Sequence, residues 1–167
     1  MTPPIRAAIL TISDKGSRGE RQDTAGPAIA ELLRSIDAYV ELRDVMADER
    51  AAIAARLRDW ADRGGIDVII TTGGTGLAAR DVTPEATLDV GDRIVPGVSE
   101  AMRAEGLAHT PFAMLTRGVS VVRGSTLIVN LPGSEQAVRE NMAVLLPVLE
   151  HAVMLLRGYT EHKSNAT

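Results

Sequence analysis

Short apolar runs alternate along this chain with segments of helical periodicity. Ala7–Ile12 is a continuous apolar run ending in the turn-rich Ser13-Asp14-Lys15-Gly16-Ser17, as expected of a strand buried on both faces. Pro27 to Ser35, with Ile36 just beyond it, places Ile29, Leu32, Leu33 and Ile36 at helical spacing. Tyr39 to Val45 alternates like a strand. Glu49 to Asp62 is a helix with Ile53, Leu57 and Trp60 on one stripe, stopped by Gly64-Gly65. Ile66 to Thr72 is a third strand running straight into Gly73-Gly74. Thr126–Leu131 is a fourth, ending at Pro132-Gly133 and followed by a helix through Leu156. Shorter helices are expected around 84–90, 97–106 and 110–117.

Strands alternating with helices predict an α/β fold: a three-layer α/β/α sandwich with a mostly parallel central sheet. The reading is one domain over residues 1–167, with residues 159–167 a frayed polar tail. In such sheets ligands sit beyond the carboxyl ends of the strands. Position alone then tests for a site, because polar, glycine-rich or acidic segments should follow strands. Ser13-Asp14 follows the first strand, Asp48 the second, Thr72 to Asp81 the third, and Pro132-Gly133-Ser134 the last. If the strands are parallel, all four meet on one edge of the sheet.

Composition narrows the chemistry. The chain has no cysteine, which removes disulfides, thiolate metal sites and a cysteine nucleophile. His109, His151 and His162 are scattered, without metal-site spacing. The net charge is -4, and the aromatics are one Trp, two Tyr and one Phe, so the basic face and stacking platforms of a nucleic-acid binder are missing. The longest apolar run, Met142 to Leu149, is too short to span a bilayer, and the amino-terminal residues lack signal-peptide character. The expectation is a cytoplasmic protein with neither a nucleic-acid nor a membrane partner.

The most informative segment is Thr71-Thr72-Gly73-Gly74-Thr75-Gly76-Leu77-Ala78-Ala79-Arg80-Asp81-Val82-Thr83-Pro84-Glu85. Three glycines in four residues leave backbone amides uncovered, and amides with threonine hydroxyls suit a phosphorylated ligand. A P-loop would need lysine after its second glycine, and none is present. Gly74, Gly76 and Ala79 satisfy the letters of the dinucleotide fingerprint, which keeps a nicotinamide-dependent oxidoreductase in view. The context disagrees, because the helix starts only at Thr83-Pro84, with Thr83 read as its N-cap. Asp81 lies inside this loop. A carboxylate beside a phosphate is repulsive unless a cation lies between them, so Asp81 is a candidate magnesium ligand; the plain alternative is a surface aspartate paired with Arg80. Asp48 carries a similar pair of readings, magnesium ligand or N-cap of the helix that follows it.

The residues Thr11-Ile12-Ser13-Asp14, the run Thr71 to Thr87, Pro96-Gly97, Pro111 to Arg117 and Ile128 to Ser134 together resemble the molybdopterin adenylyltransferases of the MoaB/Mog type, over about residues 6 to 158. The resemblance implies that the terminal phosphate of molybdopterin attacks the α-phosphate of ATP, pyrophosphate leaves, and the adenylylated pterin passes to a molybdate-insertion enzyme. It implies Asp48 and Asp81 as the catalytic pair for the Mg2+–nucleotide step. Ser13, Asp14, Thr72, Gly73, Gly74, Thr75, Gly76, Ser99, Glu100, Arg117, Pro132, Gly133 and Ser134 would line the pterin and nucleotide sites. Read without the resemblance, Ser99 and Glu100 fit the first turn of a helix, Ser13 and Asp14 a plain turn, and Arg117 a solvated charge. The resemblance also implies a homotrimer, for which Met142, Leu145, Leu146, Leu149, Val153 and Leu156 offer a stripe wide enough for core and interface. One departure is Ala47, where the family commonly has proline before the first aspartate. A binding or carrier protein without turnover is the alternative within the family, and the retained Asp48/Asp81 pair separates the two.

Overall fold

A computed structural model describes residues 3–159; the tail expected to fray falls almost wholly outside the described residues. Six strands form one sheet in the order β2-β1-β3-β6-β5-β4. β1 (Ile5–Ile12), β2 (Ala38–Met46), β3 (Val68–Thr72) and β6 (Thr126–Leu131) are mutually parallel. Two short strands not foreseen from the sequence, β5 (Ser120–Arg123) and β4 (Arg93–Ile94), add an antiparallel edge. β5 is joined to β6 by a tight hairpin in which Gly124 takes φ +56, a conformation glycine adopts without steric cost.

The strands read as continuous apolar runs because both faces of the sheet are covered. Successive residues of β1 serve opposite cores. Ile5, Ala7 and Ile9 pack with α2 (Ala25–Arg34), α5 (Pro96–His109) and α6 (Glu135–Leu156). Ala8, Leu10 and Ile12 pack with Ile53, Leu57 and Trp60 of α3 (Arg50–Asp62) and Ala86 of α4 (Thr83–Leu88). The expected three layers are present. The α6 stripe is consumed by the first of these cores: Met142, Leu145, Leu149 and Val153 are buried within the chain, and Leu146 and Leu156 pack partly against it. That stripe therefore covers the sheet and leaves little for an interface. No helix among the described residues is long and apolar enough to cross a membrane.

The order of connection positions the site. From β1 the chain crosses through α2 to β2 on one side, then returns through α3 to β3 on the other side of β1. Connections that leave adjacent strands in opposite directions cannot both cover the crevice between the strands' carboxyl ends, so it stays open. In this molecule that switch point lies between Ile12 and Thr72.

Candidate functional site

A cleft of about 450 Å³ opens at the switch point. Thr11, Ile12, Ser13 and Asp14 reach it from the end of β1, Asp48 from the end of β2, Thr72, Gly73 and Gly74 from the end of β3, and Gly133 and Ser134 from the turn after β6. Asp81 joins them from the loop after β3. The four sheet-edge segments singled out in the sequence thus share one cavity.

The glycines are required by how closely these turns approach. Gly73 has φ +97, and a Cβ there would run into the carbonyl oxygen of Ile12. Gly74 has φ +66, and its Cβ would meet the Thr83 hydroxyl and come to 3.0 Å from Oδ1 of Asp48. A Cβ on Gly133 would stand 3.3 Å from Cα of Gly73. The ends of β1, β3 and β6 therefore meet backbone to backbone, which only glycine allows. Hydrogen bonds hold the corner: Thr72 Oγ1 donates to the Pro132 carbonyl at 2.7 Å, Gly73 N–H to the Leu131 carbonyl at 3.1 Å, and Thr83 Oγ1 to the Gly73 carbonyl at 2.9 Å. Thr83 was expected to cap α4; its hydroxyl instead braces the corner, and α4 begins without a side-chain cap. Below the corner the buried Asn130 amide donates to Thr71 and Thr87 hydroxyls, both at 2.9 Å, and accepts from Val119 N–H at 3.1 Å.

The two aspartates are held differently. Asp48 Oδ2 accepts from Asp14 N–H at 2.9 Å, and Asp14 Oδ1 accepts from Asp48 N–H at 3.0 Å. This reciprocal pair ties the start of the short α1 (Asp14–Ser17) to the end of β2. Asp48 was read as a possible N-cap of α3, but that helix starts at Arg50 with Glu49 at its cap and no side-chain bond there. Burial raises the Asp48 carboxyl above the usual carboxylate range, and the nearby charges of Asp14 and Asp81 add to that. Asp14 moves the other way, lowered chiefly by hydrogen bonds from Arg80. Asp81 Oδ2 accepts from Ala78 N–H at 3.0 Å. Arg80, the partner expected for Asp81, bonds Asp14 and Glu49 instead.

Several expected residues stand elsewhere. Thr75 is buried, accepting from Thr116 Oγ1 at 3.2 Å. Gly76 offers its carbonyl to Arg117 Nε at 2.8 Å. Arg117 also donates to the Asp81 carbonyl at 2.7 Å and pairs with Glu85, so its expected role as an anion ligand gives way to that of a clasp for the glycine loop. Ser99 is buried, bonded to Ser120 across 3.0 Å between hydroxyls, and Glu100 is exposed on α5; neither lines the cleft. Residues passed over in the sequence do line it: Lys15, Arg21, Gln22, Asp23 and Thr24. Asp23 accepts from Thr11 Oγ1 and from Gly26 N–H, each at 2.9 Å, and so ties the end of β1 to the first turn of α2. An aspartate three residues before the glycine of a helix's first turn was the signal available for it.

The chain is similar to known proteins over most of its length. The family model described as "probable molybdopterin binding domain" matches residues 8–151. The chain is 38% identical over 159 residues to a molybdopterin adenylyltransferase of Helicobacter pylori, covering 92% of this chain and 89% of that protein. It is 41% identical over 153 residues to the molybdenum cofactor synthesis protein cinnamon of Drosophila melanogaster, covering 91% of this chain but spanning only 26% of that longer protein. Among solved structures, the molybdopterin biosynthesis enzyme MoaB of Thermus thermophilus superposes with a TM-score of 0.87 at 55% identity, covering 92% of this chain and 97% of that one.

Proposed function

The chain belongs to the molybdopterin-binding family of molybdenum cofactor biosynthesis, and on that premise we propose that it is a molybdopterin adenylyltransferase, joining AMP from ATP to the terminal phosphate of molybdopterin. The observation that carries the reading is the switch-point cleft, where Asp48 and Asp81 stand with the Gly73-Gly74 corner and the amino terminus of α6. A phosphate oxygen of the pterin attacks the α-phosphorus. The bond from that phosphorus to the oxygen bridging the β-phosphate breaks, and the electron pair leaves with pyrophosphate.

Both reactants are anions, so the site must position them and offset their charge. Asp48 and Asp81 would hold Mg2+, whose chemistry when bound is to neutralise phosphate charge. The fit is electrostatic: Asp48 is destabilised as an anion by burial and by two neighbouring acids, and a divalent cation relieves that. Ser134 caps α6, its Oγ accepting from Ala137 N–H at 3.2 Å, so the positive end of that helix's dipole lies at the cleft rim. The glycine corner lets a phosphate approach the backbone closely. Thr75, Gly76 and Arg117 act through the loop by holding its shape.

The test is incubation of the protein with molybdopterin and Mg–ATP. Pyrophosphate and adenylylated pterin should appear in equal amounts; pterin that binds while neither product forms would make the protein a carrier.

The reading extends to assembly and partners: a cytoplasmic homotrimer whose product passes to a molybdate-insertion enzyme. Support for self-association comes from a different surface than α6. Leu107, Phe112, Met114 and Leu115 are exposed, Phe112 by 75%, and Leu77 lies in the loop that the Thr116–Thr75 bond ties to them. A monomer mass by light scattering at micromolar protein would refute the trimer.

A further inference from the structure

The cleft carries an excess of acid. Asp14, Asp23, Asp48 and Asp81 line it, against two bases, Lys15 and Arg21. The other arginines nearby are committed. Arg80 bonds Asp14 and Glu49, Arg117 pairs with Glu85, and Arg18 engages both oxygens of Glu20 at 2.9 and 3.0 Å. Glu20 is the one acid in the stretch from Lys15 to Gln22, and Arg18 takes it. Among the described residues no carboxylate lies within ion-pairing distance of Lys15 or Arg21. The backbone holds both near the cleft. Glu20 N–H donates to the Lys15 carbonyl at 2.9 Å and Gly19 N–H to the Gly16 carbonyl at 3.1 Å, folding the intervening residues into a tight turn. Thr24 and Ala25, at the start of α2, complete this wall.

We propose that Lys15 and Arg21 form the polyphosphate subsite of the cleft, engaging the β- and γ-phosphates of the nucleotide, the group that departs as pyrophosphate. This rests on the adenylyltransferase reading. A leaving pyrophosphate gains charge as its bond to the α-phosphorus breaks. Cations already free of carboxylate partners can take up that charge without first breaking an ion pair. Two long cationic side chains on one wall suit an anion with several separated charges, whereas the pterin's single phosphate monoester is served by the glycine corner and the α6 terminus. Both residues act by direct contact with the nucleotide's departing group.

The test is calorimetric titration of the full chain with Mg–pyrophosphate, Mg–ATP, AMP and molybdopterin, for wild type, Arg21→Gln, Lys15→Gln and the double variant, with thermal melts to establish folding. Pyrophosphate and ATP affinity should fall about tenfold for each cation removed, while AMP and molybdopterin affinity stay within about twofold. Arg21→Lys should keep most of the affinity. In turnover the same variants should raise the KM for ATP and the inhibition constant for pyrophosphate. Wild-type protein that binds no pyrophosphate overturns the proposal, as does a double variant that binds it normally. An equal loss for AMP, or a loss confined to molybdopterin, also overturns it. The two readings separate cleanly: pyrophosphate binding that depends on Arg21 without any adenylyl transfer removes the enzyme reading and keeps the subsite, and normal turnover in the double variant does the reverse.

Discussion

The two ends of the parallel strands differ in how completely they match charge. At the amino ends charge is matched. Asp67, just before β3, accepts from Arg157 Nε at 2.8 Å and Nη2 at 2.6 Å and from Arg6 N–H at 2.8 Å. Arg157 also donates to the carbonyls of Pro3 and Pro4, both at 2.8 Å, and Arg6 engages both oxygens of Glu41. This knot ties the first strand to the end of the last helix. At the carboxyl ends the matching is incomplete: Arg80 pairs with Asp14 and Glu49, but Asp48 is crowded by two other acids, and Lys15 and Arg21 have no carboxylate partner among the described residues. An edge that saturates its charges contributes stability. An edge that leaves them unmatched stores electrostatic free energy that a ligand can release on binding.

This contrast predicts that stability and activity separate by edge. Asp67→Ala should have the largest effect, leaving the mostly buried Arg157 guanidinium without its carboxylate and destabilising the fold by about 3 kcal/mol in denaturant titration. The folded fraction should retain its turnover; a selective loss of activity at unchanged stability would break the contrast. Asp81→Ala should do the reverse. Adenylyl transfer should drop roughly 10²-fold with molybdopterin binding retained, because stabilisation that grows toward the transition state is lost. The melting curve should barely move, since Asp81 gives up a single bond in an exposed loop. Near wild-type turnover at saturating Mg–ATP would remove Asp81 from the mechanism.

Gly73→Ala should blur the separation, costing about 2 kcal/mol of stability and activity as well, because φ +97 and the Ile12 carbonyl both oppose a Cβ. A crystal structure of that variant with an undisturbed corner would contradict the argument. The smallest effect concerns pH. Arg117 beside Glu85 holds the Glu85 carboxyl below its usual range. A depressed carboxylate favours the folded state above the unfolded pKa of roughly 4.3, and that part fades as pH falls through the folded value. Glu85→Gln should therefore flatten the acid side of the stability profile by under about 1 kcal/mol, since both side chains are about a third exposed. An unchanged acid limb would show that the clasp acts through its carbonyl contacts alone.

The order of the major elements, the two-sided burial of the parallel strands, and the gathering of Ser13, Asp48, Gly73 and Gly133 on one edge are legible in the amino-acid sequence. These follow from periodicity and from the rule that parallel strands present their carboxyl ends together, which is local information plus one handedness constraint. The short β4 and β5 escaped because strands of two and four residues carry too little periodicity, although Arg123-Gly124-Ser125 marked the hairpin turn. Which partner each polar group takes is settled by the packing of the folded chain. Thr83 braces the Gly73 carbonyl rather than capping its helix, Asp48 secures α1 rather than α3, Arg80 goes to Asp14 rather than Asp81, and Arg117 clasps a loop. Each of these bonds joins residues brought together by the crossing of the chain at β1 and β3 or by the close approach of separate turns. Hydrogen-bond choice depends on such distances across the fold, which spacing along the chain does not encode.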